Sequence, residues 1–252
     1  MLMNLVMNIL KKNTFYGILV RYKSVMSTMK IDKMASIFPC DDVSSYVKAA
    51  EYLEKGEVIA VPTDTIYGLA CSAKCPEAIK KLYTIKGRDS IKPVAICVNS
   101  ILDVRHWGDA SHLSDILLNN LLPGPVTVVL EKTKYLDNPY LNPQTTKIGI
   151  RIPNNVFINN MTNVFNKPVA LTSANFSNEP STLCIEEFKH LYEHLGAVFD
   201  GGTLSRGLNA NRIGSTIVDL SVKGEYNIIR KGISYERIVE FLNSYGLRGA
   251  VK

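Results

Sequence analysis

Residues 57–68 read EVIAVPTDTIYG, an apolar run that turns polar at Thr63. An uninterrupted apolar run of this length predicts a buried strand, and the polar residues after it predict a loop at the strand end. The preceding SSYVKAAEYLEKG (44–56) carries apolar side chains at helical spacing and ends at a glycine. PEAIKKLYTIKG (76–87) begins with proline and also ends at a glycine, which is typical of a helix. Helix, strand and helix in succession indicate an α/β protein.

The same alternation continues along the rest of the chain. Further helices are predicted around residues 113–121, before Pro168, over 185–195 and over 235–246. The further predicted strands are PVAICV (93–98), VTVVLE (126–131), KIGIRIP (147–153), VALTSAN (169–175), AVFD (197–200), STIVDL (215–220) and YNIIRKG (226–232). Because the last strands follow one another directly, the sheet is predicted to be mixed and to belong to a single α/β domain.

The formal net charge of +6 is concentrated at the start of the chain. Residues 1–31 contain no acidic residue and five basic ones, Lys11, Lys12, Arg21, Lys23 and Lys30. The remaining residues hold 24 Lys and Arg against 23 Asp and Glu. A nearly neutral body argues against a domain that binds nucleic acid mainly by neutralising phosphates.

Residues 1–31 fit either a mitochondrial transit peptide or a disordered basic extension. A start at Met26 or Met29 would give a shorter, cytosolic form. The expected location is therefore the cytoplasm, the mitochondrion or both. No apolar run approaches the length of about 20 residues that crosses a bilayer, so no membrane span is predicted.

The five cysteines are odd in number and include no C-x-x-C pair, which is typical of a reducing compartment without a disulfide framework. Cys71 and Cys75 have a metal-like spacing, but two buried thiols are the favoured interpretation because no histidine or second pair lies near them. His190 and His194 share a helix face, which is more typical of a solvated surface than of a metal site.

Four polar stretches follow apolar strands or helices, at residues 62–68, 86–93, 171–182 and 209–216. In the second, Lys86 and Arg88 flank the glycine that ends a predicted helix. Two interpretations stay open, namely cations that interact with the helix dipole and a clamp for phosphate. No P-loop, dinucleotide-binding glycine motif, nucleophile elbow or H-E-x-x-H motif occurs, so lysine and arginine side chains would have to hold any bound phosphate.

The third stretch places two hydroxyls and an amide at a strand end, on Thr172, Ser173 and Asn175. Such groups orient a small polar ligand, since the asparagine amide both donates and accepts hydrogen bonds. The alternative is a turn in which serine and asparagine cap their own backbone.

Taken together, the motifs resemble the YrdC family of threonylcarbamoyl-AMP synthases, and most closely its animal members. The segments that carry the resemblance are, in order, VIAVPTDTIYGLAC, LYTIKGRDSIKPVAICV, LLPGPVTVVL, KIGIRIP, VALTSANFSNEPS, GSTIVDLS and IIRKG. The resemblance covers residues 41–238 and leaves 239–252 as a helix end and tail. It implies an α/β fold with a twisted, mixed sheet, flanking helices and a concave active-site face.

The resemblance also implies a reaction in which L-threonine, bicarbonate or CO2, and ATP give threonylcarbamoyl-AMP and pyrophosphate. This product is the donor for modifying the adenosine beside the anticodon of certain tRNAs. The implied partner is a tRNA threonylcarbamoyl transferase, of the KEOPS type or its mitochondrial equivalent. Because two anions must meet while negative charge builds on the phosphate, positioning and electrostatic stabilisation are expected to dominate catalysis.

Site residues follow from the resemblance for both substrates. For ATP it implies Lys86, Arg88, Lys92, Asn175, Ser181 and Arg230. For threonine it implies Thr65, Arg151, Thr172, Ser173 and Ser215. The implied catalytic set is Lys86, Arg88, Ser173 and Asn175. Mg²⁺ is expected to accompany ATP by bridging its phosphates, and no side chain is assigned to hold a metal.

Arg151 suits the threonine carboxylate because guanidinium and carboxylate pair through two hydrogen bonds, although alone it is also typical of a surface arginine on a strand. Two positions depart from the family pattern. Cys97 stands where some members have histidine, and Lys147 stands where relatives often have threonine.

Two other functions are weighed against the synthase. One is a non-catalytic protein that binds tRNA or double-stranded RNA, and weak binding of this kind would also be compatible with the synthase. The other is a hydrogenase-maturation protein with a YrdC-like domain, a class that is much longer and carries cysteine-rich parts not found in these 252 residues.

Overall fold

The computed structural model describes residues 35–87, 93–177, 179–204 and 212–250. Ala35–Lys252 forms one compact unit. The predicted basic extension, and the predicted site residues Arg88 and Lys92, lie outside the described residues.

A single sheet organises the described residues, with strand order β1-β8-β2-β3-β7-β4-β6-β5-β9-β10-β11. Parallel pairs such as β4 with β6 occur beside antiparallel pairs such as β5 with β6, so the predicted mixed sheet is confirmed. The strands are β1 Ser36–Pro39, β2 Ile59–Val61, β3 Gly68–Ser72, β4 Ala95–Cys97, β5 Val126–Glu131, β6 Lys147–Arg151, β7 Val169–Ser173, β8 Ala197–Asp200, β9 Thr216–Asp219, β10 Glu225–Arg230 and β11 Arg248–Gly249.

Local capping explains where several helices begin. Asp42 precedes the helix Val43–Glu54, and its side chain accepts a hydrogen bond from the Ser44 amide. Asn155 precedes the helix Val156–Phe165, and its side chain accepts one from the Ile158 amide. Pro76 is the first residue of the helix Pro76–Ile85. The α-helices are α1 Val43–Glu54, α2 Pro76–Ile85, α3 Ile101–Trp107, α4 Asp115–Leu121, α5 Val156–Phe165 and α6 Tyr235–Ser244.

The helix predicted over residues 185–195 is present, but it is a 3₁₀ helix and not an α-helix. Ile185–His194 forms a 3₁₀ helix whose regular geometry breaks at Phe188, where φ is −126° and ψ is 28°. Phe188 and Leu191 are both fully buried, and their spacing of three residues suits 3₁₀ geometry.

The core lies on both faces of the sheet. Along β2, Ala60 packs into one apolar cluster while Ile59 and Val61 pack into the other. Helices α1 and α5 cover the second cluster with residues such as Leu53 and Phe157. Strands buried on both faces read as continuous apolar runs, which is why the strand in residues 57–68 is recognisable from the sequence.

Strands β1, β3 and β11 and helix α3 are additions to the sequence-based assignment. The sheet therefore includes strands on both sides of the predicted 41–238 range. Among the described residues, no helix combines the length and apolarity required to cross a bilayer.

Sheet pairing places several strand ends around one face. Gly68 at the start of β3 pairs with Ser173 at the end of β7. Cys97 and Arg151 pair at the ends of the parallel strands β4 and β6. Residues far apart in the chain are thereby brought to one region, where the site lies.

Candidate active site

A cavity of about 440 Å³ opens on the sheet and carries most of the predicted site residues that the structure describes. Apolar side chains such as Ile66, Leu171 and Ile217 form part of its wall. The predicted residues on its lining are Arg151, Thr172, Ser173, Ser181, Ser215 and Arg230. Residues from both halves of the chain thus meet at one concave site, as the resemblance implies.

Arg151 is the most deeply buried cation on the cavity wall, with 6% of its surface exposed. Its Nη2 donates hydrogen bonds to the Asp64 carboxylate and, over 3.1 Å, to the Thr65 hydroxyl. Asp64 and Thr65, which bind the guanidinium, are not among the residues that line the cavity. Thr65, which is predicted to contact threonine, contacts Arg151 and Thr63.

Thr63 shapes the loop that carries Asp64 and Thr65. Its hydroxyl donates to the Ile66 carbonyl over 2.7 Å and accepts from the amides of Thr65 and Ile66. A hydroxyl that bonds nearby backbone groups in this way fixes a turn directly after the strand. The loop is thereby held without help from a ligand.

Tyr67 anchors a second loop beside the cavity. Its hydroxyl donates to the Gly202 carbonyl over 2.8 Å and accepts from the Gly201 amide over 2.9 Å. Burial is the main reason that the pKa of Tyr67 lies well above its ordinary value. The phenol therefore stays protonated and keeps donating to Gly202 throughout the physiological pH range.

Arg230, at the end of β10, brings a second guanidinium to the cavity. It donates to the Ser215 carbonyl over 2.8 Å and to the Ser215 hydroxyl over 3.2 Å. That hydroxyl also lies 2.8 Å from the Thr127 hydroxyl. Burial, and secondly the positive charge of Arg151, lower the pKa of Arg230 from its ordinary value. Two mutually repelling guanidiniums on one cavity create a site suited to anions.

Lys86 joins the predicted catalytic residues to one another. Only 1% of its surface is exposed, and its Nζ donates to the Ser173 carbonyl over 2.6 Å and to Asn175 Oδ1 over 2.8 Å. Nζ also donates to the Asn175 carbonyl. Ser173 lines the cavity, whereas Lys86 and Asn175 stand beside it. The structure therefore brings these three predicted residues together.

The end of α2 bears on the two interpretations of Lys86. Gly87 has φ of +56°, a left-handed conformation that glycine adopts easily, and it ends the helix as the sequence predicts. The Lys86 ammonium contacts the loop after β7, which is a specific structural partner beyond the helix dipole.

Cys97 and Lys147, the two departures from the family pattern, differ in location. Cys97 lines the cavity, and burial raises the pKa of its thiol to about 12, so the thiol stays protonated. Lys147 is not on the lining, and its Nζ donates to Asp219 Oδ2 over 2.8 Å. Burial alone would raise the pKa of Asp219, but hydrogen bonds from Lys147 and Ser221 outweigh it and the pKa is lowered.

The candidate metal positions have other contacts. In the part of the chain that the structure describes, no group of three His, Cys, Asp or Glu side chains is arranged to hold a metal ion. Cys71 is fully buried, as a core thiol would be. The His190 ring packs on Phe176 with 4.9 Å between ring centroids.

Sequence reasoning missed three residues that build the site. Asp64 falls inside the polar stretch 62–68, and a carboxylate directly after a buried strand is a signal that could have found it. Thr127 lies within the apolar strand VTVVLE, and Tyr67 is an aromatic residue at a strand start. Nothing local marks the last two as site residues.

Comparison with known proteins relates the chain to one family. The Sua5/YciO/YrdC family model, described as "Telomere recombination", matches residues 51–232. The threonylcarbamoyl-AMP synthase of Bos taurus is 46% identical over 200 residues, which are 79% of this chain and 72% of that protein. The Homo sapiens threonylcarbamoyl-AMP synthase is 45% identical over 201 residues, which are 79% of this chain and 71% of that protein.

Solved structures share the fold. The crystal structure of P. abyssi Sua5 complexed with L-threonine has a TM-score of 0.73 at 22% identity, covering 86% of this chain and 62% of that one. Full-length HypF in the phosphate- and nucleotide-bound form has a TM-score of 0.62 at 22% identity, covering 73% of this chain and 28% of that one. On its sequence match, its motifs and its fold, the chain belongs to the Sua5/YciO/YrdC family.

Proposed function

We propose that the chain is a threonylcarbamoyl-AMP synthase, which makes threonylcarbamoyl-AMP and pyrophosphate from L-threonine, bicarbonate or CO2, and ATP. The animal relatives of that name, at 45% and 46% identity, support this assignment. A fold neighbour, P. abyssi Sua5, was solved in complex with L-threonine, which supports threonine as a substrate.

The observation that carries the proposal is the pair of guanidiniums, Arg151 and Arg230, on one cavity lined by hydroxyls. Within the described residues, Arg151 Nη1 makes no hydrogen bond, so it is available to a carboxylate. Arg230 lies at the end of a later strand, β10, and is assigned to the phosphates of ATP. A carboxylate and a phosphate are both anions, and each receives its own arginine.

The chemistry requires two steps that balance. The threonine ammonium and bicarbonate give the carbamate, water and a proton. A carbamate oxygen then attacks the α-phosphorus of ATP, and the bond to the β-phosphate oxygen breaks with release of pyrophosphate. Arg230 stabilises the negative charge that builds on the α-phosphate oxygens, while Arg151 holds the carboxylate in place.

Other side chains position the reactants. Thr172, Ser173, Ser181 and Ser215 present hydroxyls to the cavity. Lys86 holds the backbone of Ser173 and Asn175, and with Arg88 it is assigned to the phosphates. Mg²⁺ is proposed to accompany ATP, because Mg²⁺ in such sites is held largely by the substrate phosphates. When bound, Mg²⁺ would neutralise phosphate charge.

The product is a reactive mixed anhydride, so the proposal includes its transfer to a tRNA threonylcarbamoyl transferase. The compartment is proposed to be the cytoplasm, the mitochondrion or both. Imaging of tagged protein expressed from Met1, and separately from Met26 or Met29, tests this: a difference in location between the forms supports the transit peptide in residues 1–31.

The deciding experiment measures pyrophosphate release by purified protein with ATP, threonine and bicarbonate, and then with each one omitted. Release is expected to require all three, and serine in place of threonine provides a test of amino-acid selectivity. Release that continues without threonine or bicarbonate contradicts the proposal. A strong salt dependence of tRNA binding, combined with no threonine-dependent release, would instead favour the RNA-binding alternative.

A further inference from the structure

Asp64 and Arg151 form a buried ion pair beside the cavity. Their side chains are 11% and 7% exposed. Burying an ion pair removes hydration from both charges, and the mutual attraction often does no more than offset that loss. Stability alone is therefore a weak reason for a charged pair in this position.

The two residues are joined through only one nitrogen of the guanidinium and one oxygen of the carboxylate. Arg151 Nη2 donates to both Asp64 Oδ1 and the Thr65 hydroxyl. Arg151 Nε and Asp64 Oδ2 are sealed from solvent and have no hydrogen-bond partner. Arg151 lines the cavity, but neither Asp64 nor Thr65 does. Nη2 is thus occupied by Asp64 and Thr65, whereas Nη1 makes no hydrogen bond within the described residues.

We propose that Asp64 is a positioning residue, whose carboxylate holds Arg151 by Nη2 so that Nη1 is presented to the carboxylate of the amino-acid substrate. The inference rests on the proposed function. An arginine side chain has about 2 kcal/mol of rotamer entropy to lose, so a guanidinium that is already fixed loses less of it on binding. The substrate is thereby met by a prearranged donor.

The opposite role is competition, in which Asp64 occupies Arg151 until the substrate displaces it. Competition requires the Asp64 carboxylate to stand where the substrate carboxylate binds. Asp64 is instead absent from the cavity lining and lies on the Nη2 side. The two roles give opposite signs on mutation: loss of positioning weakens threonine binding, and loss of competition strengthens it.

The test is isothermal titration of L-threonine and, separately, of ATP into wild-type protein and the Asp64→Asn variant. Threonine binding is expected to weaken at least about tenfold, which is about 1.4 kcal/mol, while ATP binding changes less than about twofold. The matched control is Asp137→Asn, which removes the charge from an ion pair with Lys74 at a carboxylate that is 70% exposed. The control is expected to leave both affinities unchanged.

A double-mutant cycle separates positioning from general damage. Arg151→Met removes the guanidinium, and adding Asp64→Asn to it is expected to weaken threonine binding less than about twofold further. L-threoninamide, which lacks the carboxylate, is expected to bind wild type and Asp64→Asn equally. If Asp64→Asn does not fold, Thr65→Val, which removes the other contact to Nη2, is expected to weaken threonine binding while sparing ATP.

The outcomes are distinct. Unchanged or tighter threonine binding in Asp64→Asn overturns the positioning role, as does an equal loss of threonine and threoninamide binding. If Asp64→Asn does not fold, unchanged threonine binding in Thr65→Val overturns it. Wild-type protein that neither binds threonine nor releases pyrophosphate in response to it overturns the proposed function instead.

Discussion

At the scale of single residues, Lys86 links the end of a helix to the loop that follows a strand. Its Nζ donates to Ser173 and Asn175, which lie 87 and 89 positions away in sequence. Few side chains other than lysine reach three acceptors from one nitrogen, because the ammonium carries three donors. Lys86 is therefore both a structural tie and a neighbour of the proposed phosphate site.

Replacing Lys86 with methionine tests both roles. Lys86→Met keeps the apolar stem but removes every donor, so the backbone of Ser173 and Asn175 loses its anchor. Steady-state pyrophosphate release is expected to show kcat/KM reduced by more than about tenfold, equivalent to about 1.4 kcal/mol of barrier, with folding retained in circular dichroism.

The control for Lys86→Met is Lys167→Met, at an ion pair with Glu54 in which the lysine side chain is 48% exposed. Surface pairs of this kind contribute about 0–1 kcal/mol. Unchanged turnover in Lys86→Met would show that the contacts of Lys86 with Ser173 and Asn175 do not support catalysis.

Arginines and lysines near polar strand ends were predictable from the sequence, whereas their partners were not. Arg151 and Arg230 stand out because a charged side chain interrupts or ends an apolar run. Thr127 does not stand out, since threonine is an ordinary strand residue and its contact with Ser215 joins positions 88 residues apart. Partner identity depends on tertiary pairing, which no local window contains.

At the scale of elements, the site is assembled from strand ends that are pinned by close backbone packing. The Ile233 amide donates to the Gly214 carbonyl over 3.0 Å, and the Gly232 amide donates to the Thr216 hydroxyl over 3.1 Å. These contacts tie the end of β10, with Arg230, to the start of β9, with Ser215. Arg230 and Ser215 are therefore positioned together.

Gly232→Ala tests how tightly this junction is packed. A Cβ at Gly232 would lie 2.4 Å from the Gly214 carbonyl oxygen and from backbone atoms of Ser215. Backbone atoms cannot move aside as a flexible side chain does, and overpacking typically destabilises by about 1–3 kcal/mol. We expect a lower free energy of unfolding in urea and weaker ATP binding, because Arg230 moves with the strand.

Gly249→Ala provides the comparison, since its Cβ would meet Tyr226 only at 3.4 Å, an ordinary contact. It is expected to alter the free energy of unfolding far less. Equal urea curves for Gly232→Ala and wild type would show that the junction yields easily and that it does not fix Arg230.

Element prediction worked where burial imposes a clear pattern. Val126–Glu131 has the bounds of the strand predicted from VTVVLE, a continuous apolar run before a charge. Gly68–Ser72 was missed because GLACS is small and weakly β-forming, although all five residues are buried. The 3₁₀ geometry and its break at Phe188 were also missed, since the three-residue spacing of Ile185, Phe188 and Leu191 occurs in both helix types.

At the scale of the whole molecule, buried thiols link stability to alkaline pH. Cys97 and Cys71 are fully buried, and burial raises the pKa of both thiols, to about 12 for Cys97. The unfolded thiols ionise near their ordinary value of about 9, while the folded ones keep their protons. The unfolded state is therefore favoured as the pH rises above about 9.

The expected result is a lower free energy of unfolding at pH 10 than at pH 7.5, by about 1.4 kcal/mol for each of these two thiols. Urea denaturation followed by tryptophan fluorescence at both values measures it. Cys71→Val, which removes one thiol away from the cavity, is expected to reduce the difference. A free energy that does not fall between the two pH values contradicts burial of these thiols.

The general architecture was predictable from the sequence because helix and strand patterns alternate throughout, and the mixed sheet followed from adjacent late strands. The strand order was not predictable from the sequence, since β1 pairs with β8 and β5 pairs with β9 across long sequence separations. Apolar patterning says which face a residue buries but not which strand lies beside it.

The strand order also determines when the partners of each strand become available during synthesis on the ribosome. Ser36–Pro39 emerges early, yet its sheet neighbour Ala197–Asp200 is made only after most of the other strands. At about 5–20 residues per second, Arg230 leaves the peptidyl-transferase centre roughly 4–16 s after Arg151. During that interval a nascent chain holds the arginine proposed for threonine without the one proposed for ATP. A chain still under translation would then lack one of the two arginines on which the proposed adenylation depends.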